Sequence, residues 1–315
     1  IPETLVSLNL ELLINKAEEG DAESQYQLAI MYNNGDGVSV SSELYAYWAR
    51  AAADNGHAGA QFEVAMIIFN DSDPNSDYQD YLFWLQKSAD QGFASAENNL
   101  GLAYQSGTGV EQDDKRAVFW LGRSAAQGHP LALVNLGVTY SLGQGVVQDK
   151  AIAFEMYQKA ANQGQLRGMT LLGIAYQFGE GVEQNILKAL ETYRECASLG
   201  GATCQGALGN AYSAGNGVPQ DYREAFRWYV QSAEQGDPVG QSGVGNALYF
   251  GRGVEENMSQ AIDWLLKAAN QGNSSSQSTL GYAYLHGDGV EKNETSALRW
   301  SRLAADLGDP LSQER

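Results

Sequence analysis

The chain has 315 residues and a formal charge of −19, from 38 acidic against 19 basic side chains. That balance excludes sequence-independent nucleic-acid binding and docking on anionic lipid by general charge. No run approaches the ~18 apolar residues that span a membrane, and two cysteines with three histidines are poor material for a cysteine-rich scaffold or a metal cluster. Glycine is the outlier at 36 residues, whereas prolines number six, too few for a collagen-like or proline-rich chain. In a composition otherwise rich in helix formers, such a glycine count is punctuation. The chain opens Ile1-Pro2-Glu3 without methionine, as a trimmed or a processed chain would.

Residues 1–20 have the pattern of one isolated helix, with Ala17 and Gly20 at its end. From there the sequence repeats every 36 residues, giving units 21–56, 57–92, 93–128, 129–164, 165–200, 201–236, 237–272 and 273–308. Each closes on a glycine: Gly56, Gly92, Gly128, Gly164, Gly200, Gly236, Gly272 and Gly308. Within a unit, positions 4, 8, 9 and 12 are small, Leu/Val, Gly/Ala and Tyr, as in Ala96, Leu100, Gly101 and Tyr104. That spacing places them on one face of a first helix. Gly-x-Gly-Val ends this helix in seven of the eight units, beginning at Gly35, Gly107, Gly143, Gly179, Gly215, Gly251 and Gly287.

Position 21 is a helix N-cap residue throughout: Ser41, Asp77, Asp113, Asp149, Asn185, Asp221, Asn257 and Asn293. The second helix it opens carries all six tryptophans at position 28: Trp48, Trp84, Trp120, Trp228, Trp264 and Trp300. Position 33 is always alanine. A two-helix unit of this size cannot bury its apolar face alone, so neighbours must stack. The expected fold is an all-α solenoid of eight helix–turn–helix units in one domain, and residues 309–315 start a ninth. The second unit departs from the pattern, since Asp71, Ser72, Asp73 and Pro74 replace Gly-x-Gly-Val; its interhelix loop should differ in shape.

Segments such as "AENNLGLAYQSGTGVEQDDKRAVFWLGRSAAQG" and "SQSTLGYAYLHGDGVEKNETSALRWSRLAADLG" resemble the Sel-one-like repeat (SLR), a 36-residue relative of the tetratricopeptide repeat. The resemblance covers almost the whole chain. It implies a right-handed α/α superhelix and an adaptor that recruits or organises other proteins. Bacterial members of the family act in signalling or at the host–pathogen interface, some as exported proteins that help entry into host cells. A cysteine-rich branch is connected with β-lactam binding and hydrolysis.

Cys196 and Cys204 occupy position 32 of one unit and position 4 of the next, both small inward-facing sites. They serve either as two buried thiols acting as small hydrophobes or as a disulfide across the corner between units. The cysteine-rich branch of the family, with cysteines eight apart at the same corner, implies the second, which would favour an oxidising compartment. Asp71-x-Asp73-x-Asn75-x-Asp77 alternates oxygen ligands as a calcium loop does. It lacks the glycine and the final glutamate of such a loop, having Ser76 and Leu82 there, and a solvated acidic loop with Asp77 as cap accounts for it. The sequons at Asn70, Asn257, Asn273 and Asn293 have similarly plain readings, two of them as N-caps. His57, His129 and His286 have no cysteine or serine partner at fixed local spacing, and no nucleophile-elbow, phosphate-loop or zinc-helix motif occurs.

The functional clue lies on the first helices. At 100° per residue, positions 6, 10, 13 and 14 fall opposite the core positions, where this type of solenoid lines its concave groove. Across eight units none of these residues is Asp, Glu, Lys or Arg, although 18% of the chain is charged. The stripe is apolar and aromatic at Tyr26, Ile30, Phe62, Met66, Phe69, Leu102, Val134 and Val138, and again at Ile174, Phe178, Tyr249 and Phe250. Asn, Gln and Ser lie between, suited to hydrogen-bonding a peptide backbone. Packing between neighbouring units explains part of such a stripe; a groove for a segment of a partner protein, possible host proteins among them, explains the rest. The expectation is therefore a monomeric, non-catalytic, protein-binding scaffold without cofactor or metal, exported or secreted from a bacterium and acting on host cells. The alternatives are an intracellular or periplasmic scaffold for a signalling or envelope complex, and a β-lactam- or wall-fragment-processing enzyme.

Overall fold

The structure, a computed structural model, describes residues 3–71, 73 and 78–306. Among these residues all regular structure is helical. The chain divides into two compact units, one up to Lys159 and one from Ala160. The first contains α1 (Glu3–Glu18), α2 (Ala22–Asn34), α3 (Ser42–Asp54), α4 (Ala58–Asp71), α5 (Gln79–Asp90), α6 (Ala94–Ser106), α7 (Asp114–Ala126), α8 (Pro130–Leu142) and most of α9 (Lys150–Ala161). The second contains α10 (Leu166–Phe178), α11 (Ile186–Ser198), α12 (Ala202–Ala214), α13 (Tyr222–Glu234), α14 (Pro238–Phe250), α15 (Met258–Asn270), α16 (Ser274–His286) and α17 (Glu294–Asp306). Helix α1 stands alone before the repeats, and each repeat is then an even-numbered first helix followed by an odd-numbered second one.

The third repeat illustrates the local logic. α6 ends at Gly107, whose φ of +74° is left-handed and whose N–H donates to the Ala103 carbonyl. A residue without Cβ takes that conformation at no steric cost, and the bond satisfies a carbonyl the helix end leaves open. The turn returns the chain so that the Asp113 N–H donates to the Tyr104 carbonyl at 2.9 Å. Asp113 then caps α7, its carboxylate accepting from the amides of Lys115 and Arg116 at 3.0 Å. Ser41, Asp149, Asn185, Asp221, Asn257 and Asn293 cap their helices in the same way. The first helices have caps too, at the residue after the closing glycine: Asp21, His129, Gln165, Asp237 and Asn273 accept there.

In the second repeat, Ser72, Pro74, Asn75, Ser76 and Asp77 lie outside the described residues, and with them most of the calcium-like spacing and the expected cap. α5 starts after Tyr78, which has a φ of 55° and makes no side-chain capping bond. Gly308 and residues 309–315 are likewise outside the described residues.

Buried cores form in both compact units. In the first, Leu85, Leu100, Trp84 and Trp120 are buried with the alanines of facing helices; in the second, Leu265, Leu280, Ile262, Val244 and Trp300 are. Burial of such side chains contributes about 1.5–3 kcal/mol each. Close approach depends on small residues at position 9: a Cβ on Gly209 would lie 2.5 Å from the Tyr229 ring.

A polar seam absent from the sequence-based expectations runs beside these cores. Gln61 is buried; its Nε2 donates to the Ala53 carbonyl at 3.3 Å and its Oε1 accepts from Gln91 Nε2 at 2.8 Å. Gln25 with Asn55, Gln205 with Gln235 and Gln241 with Gln271 repeat the side-chain bond at 2.8–2.9 Å. In the third repeat Glu97 takes the place, accepting from Gln127 at 2.7 Å and pairing with Arg123 at 2.8 Å.

Candidate functional site

The stripe on the first helices divides by burial. In the first unit Ile30, Met66, Leu102 and Val138 are half-buried and Phe69 is 38% exposed. Their neighbours hold them in place: Asn99 Nδ2 donates to the Met66 sulfur at 3.3 Å, and the Phe69 ring packs on Tyr81 and Tyr78 at 5.0 and 5.8 Å. Tyr26 and Phe62 are half-buried, Tyr26 stacked on His57 at 4.2 Å and Phe62 against Phe93 at 5.5 Å. In the second unit Ile174 is half-buried, and Phe178 and Phe250 are 64% and 52% exposed.

Two expected stripe residues belong to the core instead. Val134 is completely buried and Tyr249 nearly so. Val134 sits at position 6, where Asn98, Ser242 and Ser278 are buried too. A helical wheel treats each first helix alone, whereas position 6 faces the next first helix along the solenoid. The Tyr249 ring turns inward so that its hydroxyl donates to Asp288 in the turn of the following repeat at 2.7 Å. Burial and that carboxylate together hold its ionisation far above the usual phenol range.

Between the apolar residues the amides are oriented by buried tyrosines. Tyr193 OH donates to Gln177 Oε1 at 2.9 Å, and Tyr229 OH donates to Asn210 Oδ1 at 2.8 Å. With each carbonyl oxygen engaged, the NH2 group of each amide is left to donate outward. Position 29, leucine in three repeats (Leu85, Leu121 and Leu265) and tyrosine in three, supplies these hydroxyls as Tyr193 and Tyr229. The swap was visible in the sequence only to a reader who knew that this position lies under the stripe.

The second helices carry a feature the pattern did not announce. Tyr47, Phe83 and Phe119 occupy position 27 of three successive repeats and are 62%, 51% and 57% exposed. Each ring meets the adjacent tryptophan edge-on at 5.0–5.1 Å. Lys87 lies over Phe83 at 4.5 Å and Arg123 over Phe119 at 5.9 Å.

One Ser–His pair does form. His129 Nε2 lies 3.3 Å from Ser95 Oγ. His129 Nδ1, however, accepts from the Ala132 amide as a helix cap, so in the neutral ring the proton resides on Nε2. Nε2 then donates to Ser95 and cannot take its proton, the reverse of what an activated serine needs. Burial lowers the His129 pKa and keeps the ring neutral. His57 is likewise a cap, accepting from the Ala60 amide at 3.1 Å with Nε2 3.1 Å from Glu23. Among the described residues no three His, Cys, Asp or Glu side chains converge as a metal site, and no helix is long and apolar enough to cross a membrane.

Cys196 and Cys204 are joined by a disulfide between the end of α11 and the start of α12, and both are fully buried. Thr170 Oγ1 lies 3.2 Å from the Cys204 sulfur.

The geometry defines an α/α-repeat solenoid of the tetratricopeptide-like class. The family model for the Sel1 repeat matches residues 22–57, 58–93, 94–129, 130–165, 166–200, 202–237, 238–273 and 274–309, and the chain belongs to the Sel1 repeat family. No curated protein matches it significantly. Among solved structures it is similar to c5321, described as a protective antigen present in uropathogenic Escherichia coli strains and displaying an SLR fold, with 35% identity and a TM-score of 0.73. That match covers 96% of this chain, which spans only 65% of the antigen's length. A Sel1 repeat protein from Oxalobacter formigenes is 29% identical with a TM-score of 0.65, covering 99% of this chain and 92% of the other.

Proposed function

We propose that the chain is a non-catalytic, monomeric scaffold that captures a segment of another protein on the uncharged stripe of its first helices. The observation that carries this reading is the exposed or half-exposed apolar row Ile30, Met66, Phe69, Leu102 and Val138 in a chain of net charge −19. Water-facing apolar rows without charge are surfaces that a partner covers. Ile174, Phe178 and Phe250 extend the same character in the second unit. The acidic groups elsewhere maintain solubility.

An exported bacterial protein that meets host proteins is the setting the reading favours. The buried disulfide suits an oxidising compartment, and a 35% identical relative is a protective antigen. The test is partner capture by the wild type and by a Met66→Glu/Phe69→Glu/Val138→Glu variant of unchanged helicity, from host and bacterial lysates. Capture of a specific partner by the wild type alone supports the reading, and equal capture by both refutes it. Turnover of nitrocefin by the pure protein would instead favour the β-lactam-processing alternative.

A further inference from the structure

A cleft of about 460 Å³ opens in the second unit between α12, α13, α14 and α16. Its apolar wall is Phe226, Tyr229 and Phe250, and its polar wall includes Asn210, Asn246 and Thr279. Two features of this repeat create the space and the chemistry. Position 7 is Gly243, and a Cβ there would collide with the Tyr229 ring, so glycine lets that ring stand in the wall. The residue between the two turn glycines is Arg252, where other repeats have Asp36, Thr108, Gln144, Glu180, Asn216 and Asp288.

Arg252 is the one charged side chain among the described residues that line the cleft. Its backbone N–H donates to the Ala247 carbonyl at 2.9 Å, which fixes the turn. Its guanidinium lies 5.0 Å from the Phe250 ring centroid and 5.9 Å from that of Tyr222. Stacking of this kind holds the planar fork over the cleft mouth and reduces the order lost on pairing. Asn210, in the same lining, has its oxygen engaged by Tyr229, which leaves its NH2 group as a donor. The cleft therefore presents an aromatic wall, a fixed amide donor and one cation, with no anion to neutralise it.

From this geometry we propose that the cleft is a subsite for an internal acidic–aromatic step of a partner polypeptide. An aromatic side chain packs on Phe226, Tyr229 and Phe250, the adjoining Glu or Asp carboxylate pairs with Arg252, and a backbone carbonyl accepts from Asn210. The proposal rests on the reading of the chain as a protein-binding scaffold and adds the chemistry of one contact.

The probe is the pentapeptide Gly-Glu-Phe-Glu-Gly, acetylated and amidated so that its carboxylates are side chains only, titrated against the full chain by NMR. Its Glu→Gln counterpart and the same peptide with a free C-terminus are the comparison arms. The acidic peptide should perturb α12, α14 and α16, with the neutral one about tenfold weaker, the difference expected of a charge-assisted contact. Arg252→Asp, a residue that two other repeats accommodate in this turn, should weaken the acidic peptide by a similar factor and leave the neutral one unchanged. Met66→Glu/Val138→Glu, in the other unit, should leave both affinities unaltered, so loss of partner capture and loss of this subsite are separate results. Absence of perturbation at about 5 mM peptide, where a millimolar site is mostly filled, overturns the proposal. So does equal binding of the acidic peptide to Arg252→Asp, or a tighter free-carboxylate arm that ignores the glutamates.

Discussion

Glu97 is the one fully buried acidic side chain among the described residues, at a position that five other repeats fill with glutamine. Burial raises its pKa more than Arg123 and the Gln127 amide lower it. A folded-state pKa above the unfolded value means that the favourable contribution is complete below the unfolded value and is lost as pH rises through the folded one. At neutral pH the carboxylate therefore carries a net cost. Glu97→Gln keeps the shape and the Gln127 partner, while Arg123, which is partly exposed, can return to water. The variant should be about 1 kcal/mol more stable than wild type at neutral pH. The gain should shrink as pH falls toward 4.5, as urea unfolding at several pH values would measure. Two glycines make a second contrast at this scale. Gly122 lies within α7 with open space where its Cβ would be, so Gly122→Ala should stabilise by up to about 1 kcal/mol. Gly209→Ala would press on a Tyr229 ring held by its hydroxyl bond, and thermal unfolding should show a loss of about 1–3 kcal/mol.

At the scale of elements, the glutamine seam links the end of one second helix to the first helix of its own repeat and to the repeat before. Gln61→Ala would take one of two partners from the Ala53 carbonyl, which keeps the Gly56 N–H, and one of two from the Gln91 amide, which keeps the Gly56 carbonyl, a loss of about 1 kcal/mol for the hydrogen bonds removed. The fifth repeat has Met169 and Leu199 at the equivalent places. Gln61→Met with Gln91→Leu should therefore cost less than the sum of the single changes, a coupling that a double-mutant cycle in chemical denaturation resolves. Much of the element structure was legible from the chain alone. Glycines 36 apart, capping residues at position 21 and alanines at position 33 each state a local conformation, and the repetition removes the ambiguity of any single instance. The seam was less legible because a buried glutamine and an exposed one look the same until the packing direction of position 5 is known. For the same reason the wheel placed Val134 and Tyr249 on the stripe: amphipathicity identifies a core face, but contact between successive first helices depends on how repeats stack. Position 27 shows the converse. Its outward direction follows from Glu155, Glu191 and Asp263 in other repeats, and the exposed rings of Tyr47, Phe83 and Phe119 then stand out as departures.

For the molecule as a whole, stability in a repeat protein is the sum of weak units and the interfaces between neighbours, so a local cross-link acts locally. The disulfide joins Cys196 and Cys204 across a sequence separation of 8, pinning α11 to α12 at the corner between two repeats. Closing so short a loop limits the unfolded chain by about 2–3 kcal/mol. The first corner of the solenoid shows what the site is without the bond: Ala52 and Ala60 occupy the equivalent positions and are fully buried. Cys196→Ala/Cys204→Ala should consequently fold with the same packing and lose about that amount of stability. Hydrogen exchange gives the decisive readout, because openings in such chains are sub-global. Protection should fall in α10–α13 and stay unchanged in α2–α5. Equal loss in both regions would mean that the chain unfolds as one cooperative block, and the nearest-neighbour account of its stability would have to be abandoned.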